Sequence, residues 1–191
     1  MKQKARYWSS GALALRLARK IGAAWADQRG VAAIEFGIFS ILLFASLANV
    51  TDVSIYIYQR MQVENATEVA AQAALKACGS SNTLPATSNC TNLLTAVTTA
   101  MRSTSLGTAV TLQNGSPSEG YYCVNASGAL QFVSSVATKP ADCSAAGMPA
   151  LQPGDYITIA TTFTYTPIFA KLSVAAGFPT PMIRSAILRL G

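Results

Sequence analysis

Few side chains in this sequence are placed to do chemistry. Four cysteines, Cys78, Cys90, Cys123 and Cys143, can oxidise to disulfides. One acid, Glu35, stands alone in the apolar run from Val31 to Val50, shortly after Gly30. A charge inside a bilayer-length helix costs about 2.5–3.5 kcal/mol on insertion scales, so it needs a partner or a purpose. Glu119, Asp142 and Asp155 lie near turns and read as solvated loop charges. Histidine is absent, which removes the usual base of a catalytic triad and the commonest metal ligand. No Cys-x-x-Cys pair marks a zinc site. A serine hydrolase using Lys139 or Lys171 as base finds no supporting neighbours, and no Gly-rich phosphate loop follows a strand. The expectation is a protein that is not an enzyme, with no catalytic residue, no cofactor and no metal.

The elements that position these residues begin with a charge asymmetry. The formal charge of +6 lies wholly before Gly30, where Lys2, Lys4, Arg6, Arg16, Arg19, Lys20 and Arg29 face Asp27 alone. Cations and acids balance in the remainder. A nucleic-acid binder keeps its basic residues on its folded domain, so no nucleic-acid partner is expected. The asymmetry instead follows the positive-inside rule, with residues 1–30 cytoplasmic and everything after the apolar run outside.

Residues 31–50 have the length of one membrane crossing. Three fates fit them: an uncleaved signal anchor, a signal peptide cut after Ala48 in Ser46-Leu47-Ala48, or a cut on the cytoplasmic side at Gly30 that leaves the helix on the protein. On the exported side an even cysteine count implies two disulfides. Four cysteines allow three connectivities, and sequence alone does not choose among them. The local pairs Cys78–Cys90 and Cys123–Cys143 are the expected ones, because each closes a polar, turn-rich loop.

Beyond Val50, Val53 to Tyr58 alternates with period two and taken alone is a strand. Gln59 to Ala77 is rich in helix formers. No Gly or Pro divides the two, so one helix from Val31 to about Ala77 is the simpler account, with no clean apolar stripe in its outer half. Tyr56 and Tyr58 are candidates for interfacial anchors or for packing on the domain, and Gly79 for the helix cap. Asn92 to Met101 reads as a second helix. Strands are expected at Ala109–Gln113, leading into an Asn114-Gly115 hairpin turn, at Gly120–Val124, Ala129–Val133, Asp155–Tyr165 and Met182–Leu190. Pro167, Pro179 and Pro181 sit in the last connection. The class is α+β: a long N-terminal transmembrane and stalk helix followed by a small antiparallel sheet with one wet face. The organisation is a leader (1–30), a membrane part of the helix (31–50), its exported continuation (51–77) and an exported domain (78–191). The Asn-x-Ser/Thr sequons at Asn65, Asn89, Asn114 and Asn125 are inert in a bacterial setting and live in a eukaryotic one.

Gly30 followed by Glu at the fifth position and Phe at the sixth resembles the processing motif of the Tad/Flp branch of type IV pili. The stretch Arg29-Gly30-Val31-Ala32-Ala33-Ile34-Glu35-Phe36-Gly37 is similar to the opening of TadE-like pseudopilins. The aromatic strand, Pro-containing connection and final Arg-bearing strand resemble the same family more loosely. The resemblance implies cutting after Gly30 by a prepilin peptidase, with Phe36 beside the processing site. It also implies a new amino terminus at Val31 and Glu35 as the assembly acid. The long helix is favoured on the same ground. The implied protein is a minor pilin or pseudopilin of a Tad-type pilus serving adhesion, surface attachment and biofilm. Its implied partners are the peptidase, other pilin and pseudopilin subunits, the Tad inner-membrane assembly platform and the lipid bilayer. It would sit in the bacterial inner membrane, N-terminus in and C-terminus out, and then reach the periplasm or a surface pilus. The alternative is a single-pass, signal-anchored binding protein with an exported disulfide-bonded domain.

Overall fold

The structure, a computed structural model, describes residues 28–191. The basic leader assigned to residues 1–30 therefore lies almost wholly outside the described residues. Two compact units divide the chain after Ala48.

The described part of the first unit is the beginning of α1, which runs from Gln28 to Cys78 without interruption. The expected continuous helix is present, and the period-two stretch Val53–Tyr58 is helical. Packing of alternate residues decides a strand only where a neighbouring strand exists to pair with it; here helix formers continue on both sides. Between Val31 and Leu47 the apolar side chains are exposed all round, with Ile34 66%, Phe39 70% and Ile41 70% accessible. A helix apolar on every side is suited to a core or a membrane. This helix is long and apolar enough to cross a bilayer.

The second unit, Asn49–Gly191, is a sheet covered on one face by helices. After α1 come the short α2 (Ala86–Asn89) and α3 (Leu93–Arg102), then β1 (Thr111–Leu112), β2 (Ser118–Val124), β3 (Leu130–Ser135), β4 (Gly154–Phe163) and β5 (Met182–Arg189). All pairings are antiparallel. β4 is central. β5 pairs along one edge, from Tyr156↔Arg189 to Phe163↔Met182. Its other edge is shared by β2, at residues 154–158, and β1, at Thr161 and Thr162. β3 pairs outside β2, with a bulge between Tyr121 and Tyr122.

That arrangement corrects the hairpin expected at Asn114-Gly115. β1 and β2 do not pair with each other; they run in the same direction along one side of β4 as a single broken strand. Gly115, at φ +83°, makes the loop-out, and the Gln113 carbonyl accepts from Ser116 N at 3.0 Å. Ser116 then fills the ladder: its Oγ accepts from Ala160 N at 2.8 Å, while Gln113 N donates to Ala160 O at 2.9 Å. The strands expected at Gly120–Val124 and Ala129–Val133 are present as β2 and β3, and they pair with each other as a hairpin.

The main core joins Ala66, Ala70, Ala71, Ala74 and Cys78 of α1 to Val97 and Met101 of α3 and to Ile157 and Ile159 of β4. The outer half of α1 therefore does carry an apolar stripe, built of alanines too small to stand out in hydropathy. Their size lets the helix lie close to the sheet. Thr67 Oγ1 donates to Val63 O at 2.7 Å, so the proton in its 2.5 Å bond to Thr161 Oγ1 comes from Thr161. This buried pair ties helix to central strand. The opposite face of the sheet carries Tyr122, edge-on to Phe132 and Tyr156 at 5.4 and 5.6 Å.

Disulfides join Cys78 to Cys90 and Cys123 to Cys143. The first ties the end of α1 to the residue after α2; the second ties β2 to the loop before β4 and seeds a small cluster with Ala146. Gly79 closes α1 by donating to Leu75 O at 2.8 Å. It does so without the left-handed conformation expected of a capping glycine.

Candidate functional site

The residues singled out at the start of the apolar run, Gly30, Val31, Glu35 and Phe36, are all helical and exposed in α1. Val31 and Glu35 are four residues apart and share one helix face. Among the described residues no cation pairs with Glu35. A Cβ added at Gly30 would meet nothing within 4 Å. Glycine in a helix interior costs about 1 kcal/mol relative to alanine, so the fold supplies no reason for it there. Among the described residues, then, neither the acid nor the glycine has a partner or a packing role.

Two acids read as loop charges are not. Glu119 and Asp155 lie on β2 and β4, and the register Glu119↔Ile157 and Tyr121↔Asp155 places both on the helix-covered face. Glu119 caps α2: its Oε1 accepts from Ala86 N at 2.7 Å. Its Oε2 accepts from Thr87 N at 2.7 Å and from Thr87 Oγ1 at 2.6 Å. Asp155 is buried, and its Oδ1 has no hydrogen-bond partner. Burial, the Glu119 charge and a hydrogen bond to Glu119 push its pKa up to about 6, against the pull of Lys139. The same surroundings raise Tyr121, chiefly through burial and then through Asp155 and Glu119. Lys139 sits 5.9 Å over the Tyr121 ring. β2 begins at Ser118, two residues before the expected start, which brings Glu119 into the sheet, whereas Asp155 stands at the start of β4 as expected and is buried by what packs around it. Asp142 does behave as expected: exposed, and held below the usual carboxylate range by hydrogen bonds from Ser144.

A third cluster was not anticipated. Asn49 and Asp52, three apart on α1, hold the long connection between β4 and β5. Asp52 is fully buried. Its two carboxylate oxygens accept from Ile168 N and Phe169 N, each at 3.0 Å, and its carbonyl accepts from Tyr165 Oη at 3.0 Å. Asn49 Oδ1 accepts from Val174 N at 2.8 Å, and Nδ2 donates to Leu172 O at 3.1 Å. Tyr56 is buried against Tyr165 and Phe178, edge-on at 5.1 and 4.7 Å, whereas Tyr58 is exposed. Of the two tyrosines, Tyr56 therefore packs on the domain. The available signal was the pair of polar residues spaced three apart at the end of the apolar run. Among the described residues no group of three or more His, Cys, Asp or Glu side chains is gathered to hold a metal.

A folded, doubly disulfide-bonded α+β domain, entered by a helix able to cross a bilayer, defines the class. Within it, residues 30–72 match the family model described as TadE-like protein. That segment is α1 from Gly30 to Gln72, including Glu35 and most of the alanine stripe, and it upholds the resemblance seen in the sequence. The match associates the chain with the Tad pilus. No curated protein and no solved structure matches the chain.

Proposed function

We propose that this protein is a minor pilin or pseudopilin subunit, cut after Gly30 by a prepilin peptidase and required for assembly of a Tad-type pilus. It works as a structural part, not as an enzyme. The observation that carries the reading is the TadE-like match beginning at Gly30, on a segment whose acid has no partner among the described residues. Cutting there frees an α-amino group on Val31 and removes the surplus basic charge that holds a leader in the cytoplasm. Four residues of helix rise about 6 Å. A neighbouring helix offset axially by that distance brings its Val31 ammonium level with Glu35, so two ions that are costly apart are compensated together.

On this reading the helix resides first in the inner membrane with the disulfide-bonded domain outside. It then passes into a fibre built with other pilin subunits on the inner-membrane platform, serving surface attachment. The first test is the N-terminus and intact mass of the protein recovered from membranes and from sheared surface material of its host. A start at Val31 supports the proposal. A start at Met1, or one after Ala48, overturns it in favour of a signal anchor or a secreted domain.

A further inference from the structure

We propose that the connection between β4 and β5 is a second membrane contact, in which Ile168, Leu172 and Val174 enter the lipid interface. The proposal rests on the membrane-resident state described above. Ile168, Leu172 and Val174 are 65%, 59% and 65% exposed, three large aliphatics within seven residues of one loop. Their outward direction is built in. Ser173 and Ala175, which alternate with them, are buried, and Ala175 N donates to Ser173 Oγ at 3.1 Å. Leu172 and Ser173 both donate from their backbone nitrogens to Phe169 O, at 2.8 and 2.9 Å.

The residues that hold this loop are Asn49 and Asp52, and Asn49 is the next residue in the chain after Ala48, the last of the apolar unit. The loop is thus tethered where the helix leaves the hydrocarbon. Exposed Lys171 lies between the aliphatics, and a cation on an apolar stem suits the level of lipid phosphates. The occupant these features fit is a bilayer surface containing anionic lipid. Other exposed apolar residues, such as Phe132 on β3, lack this tether and remain in water.

The test uses the full chain in vesicles of phosphatidylethanolamine and phosphatidylglycerol with brominated acyl chains, which quench tryptophan. In a Trp8→Phe, Trp25→Phe background, single substitutions Leu172→Trp and Val174→Trp are compared with Phe44→Trp in the apolar run and Phe132→Trp on β3. Phe44→Trp is expected to be strongly quenched and Phe132→Trp unaffected. Leu172→Trp and Val174→Trp should lose roughly half their emission, as for a ring about 5–10 Å below the headgroup level. If both match Phe132→Trp while Phe44→Trp is quenched, the loop stays in water and the inference fails alone. Blue-shifted but unquenched emission from Leu172→Trp overturns it too, assigning the loop to another protein surface. Loss of quenching at Phe44→Trp defeats the membrane reading and this inference together.

Discussion

Glu35 and Asp155 are both acids in apolar surroundings, yet they answer to different partners. Glu35 has no intrachain cation among the described residues, so its removal should leave the fold and the cut at Gly30 intact while blocking incorporation. Glu35→Ala is expected to give a mature-length protein in membranes and none in sheared fibres, read by immunoblot. Asp155 answers to its own domain. Its pKa is raised from 3.8 to about 6 in the folded protein, so the native state keeps a proton that the unfolded chain gives up. Stability from this group is therefore full below about pH 4, falls as pH rises towards 6, and stays low above. Asp155→Asn should flatten that decline, measured as urea midpoints of the detergent-solubilised chain between those pH values. An unchanged slope would place the titration elsewhere.

At the scale of elements, the alanine face of α1 sets how closely the helix approaches β4. Ala70 is fully buried in that face, and a larger side chain there forces the two apart. Ala70→Leu is expected to destabilise by about 1–3 kcal/mol, seen as a lower denaturant midpoint, although leucine is a strong helix former. The Cys78–Cys90 bridge spans 12 residues and acts mainly on the unfolded chain. Replacing both cysteines by serine should cost about 3 kcal/mol, and exchange of backbone amides in α2 should rise first, because besides Glu119 and this bridge only the small side chain of Ala86 anchors it in the core.

For the molecule as a whole, the three clusters of buried side chains begin only at Val53, and Ala48, the last residue of the first unit, is buried as well. A chain starting at Asn49 is expected to fold without detergent and to retain both disulfides, checked by circular dichroism and non-reducing mass analysis. Aggregation of that fragment would show that the apolar unit contributes to the fold. What the sequence determined by itself is what depends on neighbours along the chain. The apolar run with its single acid, the unbroken helix and the strands β2 and β3 are all short-range, and so is the motif from Gly30 to Phe36 that carries the TadE-like resemblance, whereas the choice among three disulfide connectivities was left to the fold. What only the tertiary structure decided depends on residues far apart. An alanine stripe becomes a packing face only when a sheet lies against it. Asn114-Gly115 becomes a break in a strand and not a hairpin because β4 offers one edge to both β1 and β2. Glu119 becomes the cap of α2 beside a buried Asp155, and Asn49 and Asp52 the holders of a distant loop, only when antiparallel pairing and helix packing bring them to partners over 30 or over 100 residues away. Periodicity and composition carry no record of such partners, because burial and hydrogen bonding are properties of the folded chain.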